Sequence, residues 1–318
     1  MTTTTAVTMY SLSLYPAIDT TIYVERFEPV RELIATDEHS EAGGKGANVS
    51  AALGEMGIAC PCIALVGREN AEIYLKKLRS IGVQYIPLFA EGRIRENLSL
   101  ETPAGQFRIM RRGFAADAGT LPQLERVLAA VLSPGDLVFV GGKLPEGIGS
   151  AQLAGICEEI RRLQAKVVLD TASVLPEDLP RIAPVLMKPN RHELEALTGL
   201  PVGDLEECLA AGQKLLAAGV ESLLISLDAD GAVYLDGERR LYAAAPAVEV
   251  RSTVGAGDSM LARFVGCRSR GMMLEEALRH AVAAGSAACT YYGTKAPNNA
   301  LVERLSGQVE VRELSHRS

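Results

Sequence analysis

The 318-residue chain lacks several features that would define a class of function at once. It has 32 lysine and arginine residues against 39 aspartate and glutamate residues, a net charge of -7, and so no excess of positive charge to neutralise a nucleic-acid backbone. It also has no uninterrupted apolar run of about 20 residues, the length that a transmembrane helix requires. We therefore expect neither a general nucleic-acid binder nor a membrane-spanning protein.

Signatures of metal binding and of disulfide bonding are also scarce. The six cysteines, at positions 60, 62, 157, 208, 267 and 289, include no Cys-x-x-Cys pair, and the four histidines do not cluster with them. This pattern favours free thiols in a reducing cytoplasm over a zinc site or a disulfide framework. Residues 1–8 are rich in threonine and lack a charged segment followed by an apolar core, so we expect a loose tail rather than a signal peptide.

What the chain does have is an alternation of apolar strand-like runs with helical patterns from about Cys60 onward. Such alternation predicts an α/β fold, in which crossover units build a mostly parallel sheet with helices on both faces. The predicted strands are 63–66, 137–140, 167–169, 185–187 and 223–227. The predicted helices are 71–81, 150–163, 204–218 and 274–291.

Two segments interrupt this alternation. Residues 22–41 are polar and of extended character, and residues 97–111 alternate in polarity around a Thr102-Pro103-Ala104-Gly105 turn, which predicts a hairpin. We interpret both as strands of a small lid, with segments at about 20–42 and 90–112, on one domain that spans residues 1–318. The alternative is an ordinary edge hairpin.

The segment from Ser252 to Met260 is the most informative part of the chain. Small residues at 255–257 leave backbone N–H groups bare, and the apolar periodicity that follows predicts a helix with a stop at Gly271. Asp258 therefore lies where a loop becomes a helix, beside free N–H groups and the positive end of the helix dipole. This arrangement suits phosphoryl transfer, since the N–H groups hold charge on the moving group and the acid takes a proton from the attacking hydroxyl.

The segment from Gly43 to Asn48 is a second candidate site, because its glycines let a ligand approach the backbone while Lys45 and Asn48 reach phosphate or hydroxyl groups. It is not a Walker A loop, since Gly46 replaces the serine or threonine that would follow the lysine. The alternative is a tight turn with a surface lysine.

The segment from Lys188 to Glu193 follows a strand and opens a helix. Asn190 and Glu193 share a helix face, so an amide and a carboxylate there suit Mg²⁺ or its water ligands. The alternative is a capping box, with Asn190 as the N-cap and Glu193 as its partner.

Two further segments carry residues suited to a sugar phosphate. Arg93 and Arg95 lie two apart on a predicted strand, and a guanidinium suits bidentate contact with phosphate. Asp19 follows an early apolar strand, where it can hydrogen-bond sugar hydroxyls. The alternatives are a solvated edge charge for the arginines and a turn-capping aspartate for Asp19.

Taken in order, these segments resemble the phosphofructokinase-B branch of the ribokinase-like sugar kinases, and within it 1-phosphofructokinases and tagatose-6-phosphate kinases. The resemblance spans about residues 10–295. Its motifs are Pro16-Ala17-x-Asp19, Gly43-Gly44-Lys45-Gly46-Ala47-Asn48, Arg95-x-Asn97, Asp170-Thr171, Lys188-Pro189-Asn190-x-x-Glu193 and Thr253-Val254-Gly255-Ala256-Gly257-Asp258-Ser259-Met260. The resemblance implies a three-layer α/β/α sandwich with a small β lid, the use of ATP and Mg²⁺, and a cytoplasmic homodimer joined through the lid.

The resemblance also implies roles for individual residues. Asp258 is expected to be the catalytic base, and Gly255, Ala256 and Gly257 are expected to form the anion hole for the γ-phosphoryl group. Asn190 and Glu193 are expected to support Mg²⁺. The implied sugar-binding residues, among which Arg95 holds the phosphate already on the substrate, are Asp19, Gly44, Lys45, Asn48, Arg95 and Asn97. The implied nucleotide-binding residues are Lys188, Ser226, Asp228, Gly231, Thr253, Gly257, Ala284 and Ser286.

Four positions depart from the pattern of that family. Tyr15 replaces an asparagine, Lys143 replaces a small hydroxyl residue, and Asp228 replaces a glycine near the expected path of the triphosphate. Because a carboxylate there would repel phosphate, we hypothesise that Lys143 pairs with Asp228. Ser252 replaces an aspartate that binds a monovalent cation in ribokinases, which argues against potassium activation.

The expected function is ATP- and Mg²⁺-dependent phosphorylation of a phosphorylated ketohexose, with fructose 1-phosphate as the leading substrate and fructose 1,6-bisphosphate as the product. Arg95 and its spacing to Asn97 favour a phosphorylated substrate over a free sugar. The alternatives within the class are tagatose 6-phosphate, fructose 6-phosphate and an unphosphorylated sugar or nucleoside. The alternative outside it is a non-catalytic sugar-phosphate binder, motivated by Lys143 and Asp228.

Overall fold

The structure is a computed structural model that describes residues 7–27 and 32–315. Residues 1–6 of the expected tail and residues 28–31 of the first expected lid segment lie outside the described residues. Within the described part, the strands are β1 Met9–Ser13, β2 Ala17–Val24, β3 Ala35–Gly43, β4 Cys62–Gly67, β5 Tyr85–Ala90, β6 Arg95–Thr102, β7 Gly105–Ile109, β8 Leu137–Gly141, β9 Lys166–Asp170, β10 Leu186–Met187, β11 Ser222–Ser226, β12 Ala232–Asp236, β13 Arg240–Ala243 and β14 Val311–Glu313. The helices are α1 Lys45–Glu55, α2 Ala71–Ser80, α3 Thr120–Val131, α4 Ser150–Arg162, α5 Leu179–Ile182, α6 Arg191–Thr198, α7 Leu205–Ala217, α8 Ala256–Ser269, α9 Leu274–Ala288 and α10 Asn299–Ser306.

The main sheet has the strand order β14-β13-β12-β11-β10-β9-β8-β1-β4-β5. Neighbouring strands pair in parallel along the part of this order that contains β11, β10, β9, β8, β1, β4 and β5. Strands β12, β13 and β14 add an antiparallel edge. Every residue of β4 is buried, as expected for a parallel strand that is covered on both faces. The predicted mostly parallel sheet is therefore confirmed, whereas the antiparallel edge was not anticipated from the sequence.

Helices cover both faces of this sheet. On β8, Val138 and Val140 join a buried cluster with residues of α2, α3, α4 and α7, while Phe139 points the other way into a cluster with residues of α1, α8, α9 and α10. The two clusters are the two cores of a three-layer sandwich, which confirms the predicted α/β/α architecture. No helix among the described residues is both long enough and apolar enough to cross a membrane.

A second, four-stranded sheet has the order β3-β2-β6-β7 and contains both segments expected to form a lid. Its hairpin pairs Thr102 with Gly105 across the predicted turn, so the hairpin is confirmed. Strands β6 and β7 pair within this separate sheet, so the hairpin does not lie at the edge of the main sheet. Strand β2 leads from the main sheet into the second one, and β3 leads back to α1, so residues of both sheets meet at the start of α1.

Candidate active site

The candidate site lies at the carboxyl ends of the parallel strands, where the first turns of α1 and α8 meet. Asp258 is the third residue of α8 and is only 6% exposed. Its Oδ2 accepts a hydrogen bond of 2.6 Å from Nδ2 of Asn48 on α1. The structure thus brings together a residue expected to be a base and a residue expected to bind sugar.

Backbone N–H groups are free at the start of α8, where the anion cradle was expected, but they belong to Gly257 and Asp258 and not to all three expected residues. Gly255 is the N-cap, with a φ of 80° in the left-handed region that glycine adopts at no steric cost. Among the described residues, the N–H groups of Gly257 and Asp258 have no hydrogen-bond partner, while the N–H of Ala256 makes a long contact of 3.4 Å with the carbonyl of Thr253. Two free N–H groups at the positive end of a 14-residue helix suit an anion.

Two lysines share one buried carboxylate beside this cradle. Nζ of Lys45 lies 2.6 Å from Oδ1 of Asp170, and Nζ of Lys188 lies 3.3 Å from the same oxygen. Nζ of Lys188 is also 2.9 Å from the place that a Cβ on Gly257 would occupy. Glycine at 257 therefore leaves room for the ammonium group of Lys188 at the cradle.

The surroundings raise the pKa values of Asp258 and Lys45 and lower the pKa of Asp170. Burial and repulsion from Asp170 raise the pKa of Asp258, against the attraction of Lys45 and the hydrogen bond from Asn48. Burial opposes ionisation of Asp170, but attraction to Lys188 and Lys45 outweighs it and lowers the pKa of that carboxyl. Burial likewise opposes the charge on Lys45, but Asp170 outweighs it and raises the pKa of the ammonium group. The site therefore holds an ionised pair, Lys45 and Asp170, next to Asp258, a carboxylate that is more basic than an exposed one.

The second sheet presents polar residues to this region. The strand register places Asp19 opposite both Asn97 on β6 and Glu41 on β3. Nδ2 of Asn97 donates a 2.7 Å hydrogen bond to Oδ1 of Asp19, and Oδ2 of Asp19 lies 1.8 Å from where a Cβ on Gly43 would be. Gly44, with a φ of 114°, then caps α1. Asp19, Gly44, Lys45, Asn48 and Asn97 are thus gathered at one end of the sheets.

The surroundings of Arg95 differ from those expected for a phosphate-binding arginine. The residue is 8% exposed, its guanidinium donates hydrogen bonds to the carbonyls of Tyr15 and Pro16, and it lies 4.7 Å from the centre of the Tyr15 ring. Burial lowers the pKa of Arg95. Arg93 precedes β6, is exposed and pairs with Glu96, which fits the alternative of a solvated edge charge for this residue.

Asn190 and Glu193 form the capping box that was the structural alternative to a metal site. Oδ1 of Asn190 accepts from the N–H of Glu193 at 2.8 Å, and Oε2 of Glu193 accepts from the N–H of Asn190 at 2.9 Å. Within the described part of the chain, no group of three or more histidine, cysteine, aspartate or glutamate side chains is arranged to hold a metal ion. The pair keeps spare oxygen lone pairs, and its assignment to Mg²⁺ stays a prediction.

Of the residues expected to contact the nucleotide, Ser226 is the last residue of β11 and Asp228 follows that strand. Ser226 pairs with Asn190 at the neighbouring strand end. Asp228 is exposed and has a φ of 53°, a left-handed conformation that glycine would adopt more readily. The structure has no ion pair between Asp228 and Lys143, since Lys143 follows β8 and strands β9 and β10 separate the two loops. The hypothesised pairing of Lys143 with Asp228 is therefore wrong.

The other expected nucleotide residues occupy varied surroundings. Gly231 approaches the backbone closely, because a Cβ there would lie 2.0 Å from the carbonyl oxygen of Ala243, which is a structural reason for glycine. Thr253 is exposed in the loop before α8, whereas Ala284 and Ser286 are buried in α9, which packs against α8. The assignment of these residues to a nucleotide stays a prediction.

Two residues that shape the site, Asp170 and Tyr15, have no catalytic or binding role predicted from the sequence. Asp170 belongs to one of the motifs but has no predicted role, yet it joins Lys45 to Lys188; its position at the end of a buried strand is the signal that could have indicated this. Tyr15 departs from the family pattern and has no predicted role, yet its ring packs against Arg95 and its hydroxyl accepts from the N–H of Gly113 at 2.6 Å. No local pattern in the sequence indicates that contact across 98 positions.

Comparison with known proteins gives a consistent result. Residues 9–301 match the family described as pfkB family carbohydrate kinase. The chain is 34% identical to a 1-phosphofructokinase of Xanthomonas campestris over 79% of this chain and 81% of the relative. It is 30% identical to a 1-phosphofructokinase of Bacillus subtilis over 96% of this chain and 100% of the relative. The solved structure of phosphofructokinase-2 from Escherichia coli in complex with substrates and products has a TM-score of 0.86 and 27% identity, with 95% of this chain and 99% of that chain covered.

Proposed function

The chain belongs to the pfkB family of carbohydrate kinases, and from this premise we propose that it transfers the γ-phosphoryl group of ATP to fructose 1-phosphate, forming fructose 1,6-bisphosphate and ADP. The observation that carries the proposal is the position of the Asp258 carboxylate beside the unpaired N–H groups of Gly257 and Asp258. The choice of sugar phosphate is supported by the two relatives that are named 1-phosphofructokinase.

In the proposed reaction, Asp258 accepts the proton of the sugar hydroxyl. The hydroxyl oxygen then forms a bond to the γ-phosphorus as the bond from that phosphorus to the β–γ bridging oxygen breaks, and the electron pair leaves with ADP. The raised pKa of Asp258 suits this role, because a general base works best when its pKa is closer to the operating pH. The hydrogen bond from Asn48 occupies Oδ2 and leaves Oδ1 for the substrate.

Charge that develops on the transferred group would be held by the cradle and by Lys188. The N–H groups of Gly257 and Asp258 are fixed by the helix, so they need little reorganisation when the charge appears. Lys188 is only 4% exposed and is held by Asp170 next to Gly257. A positive charge fixed in a dry position acts more strongly on a phosphate than a solvated one does.

We further propose that Asn190 and Glu193 hold Mg²⁺ or its water ligands. The fit rests on oxygen donors, which Mg²⁺ prefers: the capping box leaves Oε1 of Glu193 without a partner among the described residues, and the nearby Oδ2 of Asp170 is buried and unpartnered. When bound, the ion would neutralise charge on the ATP phosphates. The chain's own residues provide the base and the cradle.

The second sheet supports the proposal that it is a lid and that two copies of the chain associate through it. One face carries apolar side chains that pair across the strands, and at its edge Phe107 is 45% exposed and Ile109 is 59% exposed. The residues of this apolar face are Ile22, Leu98, Leu100, Phe107 and Ile109. Exposed apolar faces of this kind mark association sites. We place the reaction in the cytoplasm because it consumes ATP and a sugar phosphate.

A substrate panel tests the proposed function. The purified chain is assayed for ADP release with fructose 1-phosphate, fructose 6-phosphate, tagatose 6-phosphate, fructose, ribose and a nucleoside, beside the Asp258→Asn variant. We expect fructose 1-phosphate to give the highest kcat/KM and the variant to lose at least about 100-fold in rate. Turnover of a free sugar alone would overturn the substrate assignment, and binding of fructose 1-phosphate without ADP release would favour the non-catalytic binder.

A further inference from the structure

A carboxylate of the second sheet bonds to the loop that follows α9. Oε2 of Glu41 on β3 accepts hydrogen bonds from the N–H of Thr294 at 3.0 Å and from Oγ1 of Thr294 at 3.1 Å. Both carboxylate oxygens lie within 2.6 Å of where a Cβ on Gly293 would be, so glycine at 293 lets the carboxylate approach the backbone. The contact joins positions 253 apart in the chain.

The same loop packs on the first residue of the phosphate cradle. The Cα of Thr294 lies 3.5 Å from where a Cβ on Gly255 would be, and Gly255 is the N-cap of the helix that carries the free N–H groups. The loop is also tied to the segment before the cradle, since the carbonyl of Cys289 accepts from the N–H groups of Arg251 and Ser252. Thr294 is therefore hydrogen-bonded to Glu41 and lies beside the N-cap residue of the cradle helix.

On its own sheet, Glu41 is a neighbour of the expected sugar-binding residues. It lies directly opposite Asp19, which lies opposite Asn97, so the three side chains share one face. Glu41 and Asp19 are both carboxylates, and the two donors from Thr294 stabilise the negative charge of Glu41 next to that of Asp19. A short path of contacts thus runs from the sugar-facing strand through Glu41 and Thr294 to Gly255.

We infer that Glu41 is a positioning residue that couples binding of the sugar phosphate at the second sheet to the geometry of the cradle that receives the ATP phosphates. The inference rests on the proposed function. When the sugar binds beside Asp19 and Asn97, it holds the neighbouring Glu41 in place. Glu41 in turn holds the Thr294 loop against Gly255, so the cradle binds ATP more tightly. The coupling is reciprocal, so ATP also tightens binding of the sugar.

Calorimetry with a non-hydrolysable ATP analogue measures this coupling as the ratio of its Kd without and with saturating fructose 1-phosphate. We expect wild type to show a ratio of at least about fivefold, and Glu41→Gln to lower this ratio, because a neutral amide oxygen accepts the two hydrogen bonds from Thr294 more weakly than a carboxylate oxygen does. Thr294→Val, which removes the hydroxyl donor, is expected to lower the ratio in part, and Thr294→Ser, which keeps both donors, is expected to preserve it. Glu38→Gln is the matched control, since Glu38 lies on the same strand and its side chain points to the opposite face.

The outcomes separate the inference from the proposed function. Wild type that turns over no sugar phosphate would overturn the proposed function and, with it, the inference. Active wild type with a ratio near one, or a Glu41→Gln variant that keeps the wild-type ratio, would overturn the inference alone. If Glu41→Gln does not fold, the comparison of Thr294→Val with Thr294→Ser decides, because loss of stability alone would not change the ratio.

Discussion

Asn48 and Asp258 are 210 positions apart in the chain, yet Nδ2 of Asn48 lies 2.6 Å from Oδ2 of Asp258. Asn48 lies in the first turn of α1, and its hydrogen bond fixes the orientation of the buried Asp258 carboxylate at the start of α8. Because the donor favours the ionised form, it also offsets part of the rise in pKa that burial and Asp170 impose on Asp258. One amide therefore controls both the direction and the basicity of the proposed base.

Loss of this amide should move the pH dependence of the reaction. Asn48→Ala removes a bond that lowers the pKa of Asp258, so that pKa rises further. Since the base acts only when ionised, the acidic limb of the kcat profile should shift to higher pH. The measurement is kcat against pH with saturating substrates. Asn298→Ala, which removes a helix-capping amide of α10, should leave the limb in place; an unmoved limb in Asn48→Ala would contradict the proposed base.

Replacement of Asp258 should cost activity but not stability. A carboxyl whose pKa is raised in the folded protein binds protons more tightly there than in the unfolded chain, so its contribution to stability falls as pH rises through the window between the ordinary and the raised pKa. Above that window, Asp258→Asn removes the cost of a buried ionised group. We expect its Tm to equal or exceed that of wild type at pH 8, with the advantage lost at low pH. A variant with a clearly lower Tm at pH 8 would show that the lysines outweigh burial.

The fold was predictable from the sequence where local periodicity is strong. The helix at α4 and the strands β4 and β8 were predicted to within two residues, because their apolar patterns report burial directly. Strands β12, β13 and β14 were not predicted, because their antiparallel pairing is decided by contact with the main sheet and not by a local pattern. The last long helix ends at Ala288 and not near Tyr291.

The site was predictable only in part, for a similar reason. Motif spacing placed Asp258 and the glycines of the cradle at a helix start, and the structure confirms that position. The contact of Asp170 with two lysines and that of Glu41 with Thr294 depend on the packing of elements far apart in sequence. Arg95 shows the converse. Its strand position was predicted correctly, but the sequence pattern did not indicate that the carbonyls of Tyr15 and Pro16 accept hydrogen bonds from its guanidinium.

Gly257 should be intolerant of even one added carbon. A Cβ at this position would lie 2.9 Å from Nζ of Lys188, so the ammonium group, which also contacts Asp170, would have to shift away from the cradle. We expect Gly257→Ala to displace the ammonium group, raise the KM for ATP and lower kcat by about tenfold or more, as measured by steady-state kinetics. Gly155→Ala is the matched control, because Gly155 lies inside α4 with nothing within 4 Å of its Cβ position. That variant should keep wild-type kinetics, and equal effects of the two changes would argue against the displacement.

Asp228 should weaken ATP binding through its charge. The residue follows β11 next to the strand ends that carry Ser226 and Asn190, and no lysine or arginine among the described residues pairs with it. We expect Asp228→Asn and Asp228→Gly to lower the KM for ATP by similar factors at low salt. The difference from wild type should shrink at high salt, because screening weakens the repulsion between an exposed carboxylate and a triphosphate. Asparagine tolerates the left-handed conformation and removes only the charge, whereas glycine also removes the strain at a φ of 53°. A lower KM in Asp228→Gly alone would assign the effect to the backbone and not to the charge.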